Sequence, residues 1–373
     1  MTSQHSNFVS FGVYPGVCRG SARRGLSSGL LLSSVVALAC NAKAPAAPDA
    51  ASPTSAAPVE SAGANVGAAA TPAVPPAEPR ALPDFCANAG DAPPPNGTTR
   101  PNHVKDGFVF VEGPVWSDKW GAFFFSEMDF DHQGKNGPPA KIHKLVLPSN
   151  VEPFIESSGS NGLAIDDQGL VACTHDTQTL SRFDLATKER SVFVADFNGK
   201  HFNSPNDVAI HSAGYVYFTD PDWQLGERPN ETGVTGVYLR KPSGEVVLLD
   251  GELSKPNGVS LSPDETRLYV GSASGIVQWY PVLADGTVGH RQALAEVKEP
   301  DGMAIDCAGR LYVASHSAGE LIVLSPEGQT LSIIKVAPRA TNVAFGGPDR
   351  KTILITAGTG IYTLRSDTPG FPY

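Results

Sequence analysis

Six polar side chains occupy one position of a recurring motif. They open Glu112-Gly-Pro-Val-Trp, Asn161-Gly-Leu-Ala-Ile, Asn206-Asp-Val-Ala-Ile, Asn257-Gly-Val-Ser-Leu and Asp301-Gly-Met-Ala-Ile, with a weaker sixth copy at Thr341-Asn-Val-Ala-Phe. Carboxylate and amide oxygens are the hard ligands that Ca²⁺ prefers. Two carboxylates with two or more amides balance a divalent cation without accumulating negative charge. The set holds no Cys or His, which disfavours zinc. Asn-Gly and Asp-Gly are also the commonest turn dipeptides, so any one pair alone reads more readily as a turn. The shared repeat position, and Glu112 with no special turn propensity, favour the metal reading.

A second group of polar residues lies 14 positions beyond Asn161, Asn206 and Asp301, at His175, Asp220 and Ser315, with His316 adjacent. A strand running out from a channel mouth and a second strand returning bring that offset back to the same face. Glu127 stands near the same place in the first copy. His175 and Asp220 are therefore expected to line a substrate cup. His175 reads equally well as a rim residue, and Trp223 as a cup wall or a packed aromatic.

The motif copies are separated by 49, 45, 51, 44 and 40 residues, the length of a four-stranded propeller blade. The second copy displays the blade's interior. Two apolar runs, 163–165 and 170–173, flank the turn Asp166-Asp-Gln-Gly169, and 181–184 and 191–194 supply two further strands. Comparable turns recur at His211-Ser-Ala-Gly214, Ser262-Pro-Asp-Glu265 and Asp306-Cys-Ala-Gly309. No ten-residue stretch carries a helical period. The prediction is an all-β, six-bladed β-propeller with a central metal channel over residues 102–373. Closing the ring hides its strand edges, and Phe108-Val-Phe110 is placed to latch it to the last blade. A β-sandwich would lack such a regular repeat.

Composition agrees. The chain of 373 residues has 38 Gly, 32 Pro and 18% charged residues, which suits a turn-rich β protein. A net charge of −10 and a pI near 5.4 exclude nucleic acid as the main partner. Arg19, Arg23 and Arg24 precede an apolar stretch, 25–39, too short to span a bilayer comfortably. Ala37-Leu38-Ala39 suits signal peptidase. Cys40 follows as in a lipobox, although Ala37 stands where Leu is usual. Residues 1–39 are therefore expected to be a signal peptide and the mature chain extracytoplasmic: periplasmic, an outer-membrane lipoprotein tethered through a lipidated Cys40, or secreted. Residues 40–101, rich in Ala, Pro, Ser and Gly, read as a disordered linker. The stretch around Phe85 and Cys86 is a candidate for docking on the domain. Cys86, Cys173 and Cys307 have no metal-ligand spacing. Cys173 is expected in the core, and Cys86 is open to a disulfide. No oligomeric state follows from the sequence.

Several motifs in order carry a resemblance. Glu112-Gly-Pro-Val-Trp, Ser204-Pro-Asn-Asp207, Phe218-Thr-Asp-Pro221, Pro256-Asn-Gly258, Pro300-Asp-Gly-Met303 and Thr341-Asn-Val-Ala-Phe-Gly-Gly347 resemble the gluconolactonase, regucalcin (senescence marker protein) and luciferin-regenerating enzyme family, over 108–364. The bacterial gluconolactonase branch is the most similar. The resemblance implies a six-bladed propeller with one catalytic divalent cation. It implies Glu112, Asn257 and Asp301 as ligands, with Asn206 a further ligand or substrate contact. It also implies Asp301 as general base or nucleophile, and Asn161 as a substrate contact. Members hydrolyse sugar lactones, and some relatives hydrolyse organophosphates. The chain departs from the family at Asp176-Thr-Gln-Thr179, where an Arg is expected, and in its tail, 367–373.

These residues allow a mechanism. A lactone carbonyl oxygen on the cation (Ca²⁺, with Zn²⁺, Mn²⁺ or Mg²⁺ as alternatives) would be polarised for attack by water. Asp301 or another channel carboxylate would take the proton. Asn206 and Asn257 could donate to the developing oxyanion only if their oxygens are not both on the metal. No Gly-x-Ser-x-Gly nucleophile elbow is present within 102–373. Three functions stay open: a metal-dependent hydrolase opening a sugar lactone such as gluconolactone, a phosphotriesterase-like hydrolase on the same site, and a non-catalytic extracytoplasmic binding module. The complete carboxylate–amide ring favours the first over the last.

Overall fold

The turn at Asp166 illustrates how each repeat reverses direction. Its carboxylate accepts backbone N–H bonds from Gln168 (2.9 Å) and Gly169 (3.0 Å), and the chain turns back at once. Asp306 does the same for Ala308 (2.9 Å) and Arg310 (3.0 Å). The computed structural model describes residues 74–371 except 88, 90 and 91.

Such hairpins build six antiparallel four-stranded sheets in chain order. Blade one is β2 (Val111–Ser117), β3 (Ala122–Met128), β4 (Ala140–Val146) and β5 (Asn150–Ile155). Blade two is β6 (Ser160–Asp166), β7 (Gly169–Thr174), β8 (Thr179–Phe183) and β9 (Arg190–Val194). Blade three is β10 (Val208–Ile210), β11 (Val216–Asp220), β12 (Gly236–Arg240) and β13 (Val246–Asp250). Blade four is β14 (Pro256–Leu261), β15 (Arg267–Ser272), β16 (Ile276–Pro281) and β17 (Gln292–Glu296). Blade five is β18 (Pro300–Ile305), β19 (Leu311–Ser315), β20 (Glu320–Leu324) and β21 (Thr330–Lys335). Blade six is β22 (Ala340–Gly346), β23 (Thr352–Ala357) and β24 (Gly360–Arg365), completed by β1 (Asn102–Asp106) on its outer edge.

The six-bladed propeller is thus as expected. Its core is divided into six apolar clusters, each made by facing sides of two neighbouring blades, including the sixth with the first. Both faces of a blade are therefore covered, and inner strands such as β3 are buried at every residue. This is why the strands read as continuous apolar runs more than as clean alternation.

Two expectations need correction. The closing strand is β1, paired antiparallel with β24, and not Phe108-Val-Phe110. An outer-edge strand leaves the chain a full blade width from the axis. Residues 107–110 cross that width, with Phe108 N–H on Thr359 O (3.2 Å) and the Phe108 ring in the core between blades six and one. The segment 74–101, expected as the end of a disordered linker, instead lies along the propeller. Its Pro-rich backbone forms no sheet of its own and lends its few N–H groups to the turns below. Ala77 donates to Val282 O and Arg80 to Asp264 O, both at 2.9 Å. Cys86 is joined to Cys307 by a disulfide, Phe85 meets the Phe371 ring, and Arg310 donates to Ala92 O (2.6 Å). Cys173 is buried and free, as expected. The signal peptide, Cys40 and the linker up to residue 73 lie outside the described residues.

Candidate active site at the channel mouth

In four blades the ring residue sits where the ladder between the two innermost strands is interrupted. Register shifts fall between Glu112 and Val115, Ser160 and Leu163, Pro256 and Val259, and Pro300 and Met303. A bulge re-aims a side chain that regular pairing would bury in the blade. The residue after it is held to glycine by space. A Cβ on Gly162 would lie 2.5 Å from Asn206 O, and one on Gly258 would lie 2.2 Å from Asp301 O. Inner strands of neighbouring blades converge on the axis here.

Blades three and six carry Asp207 and Asn342 at that glycine position. A Cβ on Gly162 would meet Asp207 Oδ1 at 2.6 Å, and one on Gly302 would meet Asn342 Cγ at 1.9 Å. The two side chains fill the space that the glycines leave. The Asn342 side chain lies beside both Asp207 and Glu112 and lowers the pKa of both carboxyl groups against burial. Its oxygen accepts from Val343 N–H (2.7 Å), so its NH₂ faces the carboxylates. Asp207 accepts from Val208 N–H (3.0 Å) and Val259 N–H (3.2 Å).

Three buried carboxylates therefore share the channel. Burial, then the Asp301 charge, raises Glu112 well above the usual range. Burial, with the Asp301 charge adding, pushes Asp207 up to about 7. Burial also raises Asp301, against hydrogen bonds from His316 and Asn257. His316 Nδ1 lies 3.0 Å from Asp301 Oδ2, and that contact outweighs burial to raise the imidazole.

Among the described residues no three His, Cys, Asp or Glu side chains are grouped to hold a metal ion by themselves. The donor set is of another kind, with Glu112 and Asp301 complemented by the amides of Asn206 and Asn257. No hydrogen bond to another described residue engages the side-chain amide of Asn161 or Asn206. No Lys or Arg offsets Glu112 or Asp207. Mutually repelling buried carboxylates beside free amide oxygens fit a hard divalent cation.

The structure separates the remaining candidates. Asn161 lies on the ring, and its carbonyl accepts from Ser126 Oγ (2.6 Å). Asp220 is fully buried, not in a cup. Its oxygens accept from Asn203 and Ser204 N–H, both at 2.8 Å, so it positions the loop that carries Asn206. Burial pushes Asp220 up to about 8. His175 is fully buried too, with Nε2 on Pro138 O at 2.8 Å and Nδ1 without a partner. Burial lowers its pKa. It supports the rim from beneath. Glu127 is taken up by His143 (2.7 Å) and Val109 N–H (3.0 Å).

Arg228 ties the rim together. It donates to the carbonyls of Asp176 (3.0 Å), Asn136 (3.1 Å), Gln224 (3.0 Å) and Leu225 (2.8 Å), joining connections from blades one, two and three. Arg190 forms a two-pronged pair with Asp176 at 2.9 Å. Guanidinium groups from elsewhere thus reach the blade-two rim, where the sequence lacks its expected Arg. Asp207, Asn342 and the Asp301–His316 contact were not singled out by sequence reasoning. The available signal was the break in the Gly pattern at 207 and 342.

Comparison with known proteins follows this geometry. The family description "SMP-30/Gluconolactonase/LRE-like region" matches residues 110–359. The gluconolactonase of Zymomonas mobilis is 32% identical over 284 residues, covering 69% of this chain and 79% of that protein. A solved gluconolactonase from Xanthomonas campestris superposes with a TM-score of 0.63 at 26% identity, covering 79% of this chain and 97% of that one. Regucalcin from Agrobacterium tumefaciens, described as a calcium-binding protein, shares the fold with a TM-score of 0.60 at 19% identity, covering 73% of this chain and 95% of that one.

Proposed function

The chain belongs to the SMP-30/gluconolactonase/LRE-like family, and from that premise we propose that it is a metal-dependent lactonase opening a sugar lactone such as gluconolactone with water. The observation that carries the reading is the buried trio of Glu112, Asp207 and Asp301, each raised in pKa, beside amides with no protein partner. Glu112, Asn206, Asn257 and Asp301 would hold the cation. Calcium is the first candidate, supported by the oxygen-only donor set and the calcium-binding relative. Zn²⁺, Mn²⁺ and Mg²⁺ are the alternatives. Such an ion supplies Lewis acidity to a carbonyl oxygen.

The chain's own groups do the rest. Asp301, raised by burial, is suited to take a proton from water, and His316 stabilises its charge through Oδ2. Asn342 orients Glu112 and Asp207 from the channel floor. Asn161 faces the substrate from the ring, and Asp220 fixes the approach of Asn206. The Cys86–Cys307 disulfide favours an oxidising compartment, which supports an extracytoplasmic chain with a signal peptide over 1–39 and a possible site for a lipid tether at Cys40.

Hydrolysis of glucono-1,5-lactone by the full chain tests the reading, with Ca²⁺, with EDTA and in Asp301→Ala. Turnover above background that needs the ion and vanishes in the variant supports it. Turnover of phosphotriesters alone would move the assignment to that class, and turnover unaffected by EDTA and Asp301→Ala would overturn the site.

A further inference from the structure

The hairpin turns that end the innermost strands lie at the far end of the propeller from the ring residues. A cavity of about 790 Å³ lies at that end, between blades two and three, with Arg80, Pro83 and Phe85 of the N-terminal segment also on its wall. Arg182, Arg240 and Arg350 line it as well. Three of the four guanidinium groups have a carboxylate: Arg80 pairs with Glu265 (3.0 Å), Arg182 with Asp166 and Arg350 with Asp118.

Arg240 has none. It forms no hydrogen bond or ion pair among the described residues, and its Nε is buried without a partner. The Arg182 Nε is likewise buried and unpartnered. Both guanidinium groups lie over the Phe193 ring, Arg182 at 4.1 Å and Arg240 at 4.6 Å from its centroid. The stacking fixes their planes and brings two like charges together. Asp166, the nearest carboxylate acting on Arg240, already belongs to Arg182. A surface arginine would turn its head to water, whereas this one is held half-buried against an aromatic face.

We propose that this cavity is a binding site for a small oxyanion, a carboxylate or a phosphate group, gripped by Arg240 with help from Arg182. A planar guanidinium fork matches both groups in a two-pronged geometry. A cavity of about 790 Å³ with Pro83, Ile210 and Pro242 on its wall leaves room for a carbon skeleton of sugar size. The site is remote from Glu112 and Asp301 and does not depend on the lactonase reading.

Isothermal titration of the full chain with sodium phosphate and with sodium gluconate, at constant ionic strength balanced with chloride, tests the proposal and separates the two ligand sources. Saturable binding of either anion is expected, weakened at least tenfold in Arg240→Gln and retained in Asp301→Ala. Lactone turnover should be unchanged in Arg240→Gln. Arg240→Lys, which keeps the charge and loses the fork, is the second variant should the first not fold, and weaker binding is expected there too. The proposal is overturned by the absence of saturable binding of both anions to the unmodified chain. It is equally overturned by undiminished binding in the Arg240 variants, or by loss in Asp301→Ala, which would place the anion in the channel.

Discussion

Replacing Gly258 by Ala tests the geometry of the channel directly. Gly258 has no positive φ, so its backbone would accept any residue, and a turn does not explain the glycine. Space does. The added methyl carbon would lie 2.2 Å from Asp301 O and 2.8 Å from the Gly302 Cα, both of them backbone. Overpacking that side chains can absorb costs about 1–3 kcal/mol. Here β14 and β18 must move apart, so the expected loss is at or above the top of that range, about 3 kcal/mol. For a domain of this size each kcal/mol lowers Tm by about 2–4 °C, which gives a fall of about 6–12 °C by scanning calorimetry. The same movement separates Asn257 from Asp301, and a displacement near 1 Å at reacting groups costs about 100-fold in rate. Gly251→Ala is the control, since its nearest neighbour is a mobile Leu248 methyl at 3.2 Å. Wild-type Tm and wild-type lactone turnover in Gly258→Ala would refute the convergence of the inner strands.

Other perturbations follow from the same structure. Removing the disulfide in the Cys86→Ser/Cys307→Ser double variant frees a link between residues 221 apart; the expected loss is up to about 5 kcal/mol, read as a lower Tm that the wild type reproduces under reductant. Glu112, Asp207 (about 7) and Asp301 are more protonated in the fold than in the unfolded chain. Metal-free stability should therefore fall as pH rises from about 4 to about 7, and Ca²⁺ should raise Tm more at pH 8 than at pH 5, because protons compete with it. A larger gain at pH 5 would contradict the carboxylate site. Asp220→Ala leaves the buried Asn203 N–H unpaired at about 1–3 kcal/mol, while Ser204 N–H keeps Pro221 O, and should lower both Tm and turnover through the Asn206 loop; unchanged Tm would show that Asp220 does not hold that loop.

The blade count was legible because each blade must begin at the axis, and the axis permits few residue types. Asn161-Gly, Asn257-Gly and Asp301-Gly advertise that crowding in sequence. They could also be read as turns, and only the absence of positive φ at Gly162, Gly258 and Gly302 decides the matter. The closing strand was not legible in the same way. Asn102–Asp106 is exposed along most of its length, so its side chains carry no strong pattern, and the more apolar Phe108-Val-Phe110 drew the prediction. His175 and Asp220 were placed at the correct end of their strands by the 14-residue offset. That offset does not reveal which way a side chain turns, and both turn into the wall to satisfy backbone groups of neighbouring loops. The Cys86–Cys307 pair joins residues far apart in the chain, and nothing in their local sequence announces it.

The chemistry of the channel resides where the repeat fails. A ring of six identical inner strands would present glycine at every second motif position and leave the axis lined by backbone. Blades three and six, opposite each other in a six-membered ring, break that rule with Asp207 and Asn342. Their side chains reach toward one another, and the Asn342 amide lowers the pKa of the Asp207 carboxyl against burial, giving the channel a polar floor. That floor supplies the third carboxylate and the amide that orients Glu112. Repetition thus sets the radius of the channel, and the two departures from it add polar groups beside Glu112 and Asp301, which are held together against their mutual repulsion. Asn342→Gly would restore the repeat at one of the two positions. It should leave the propeller closed while withdrawing the amide that lowers the pKa of both Glu112 and Asp207, so turnover should fall far more than Tm does. An equal fall in both would mean that Asn342 serves packing, and that the channel owes its chemistry to the ring alone.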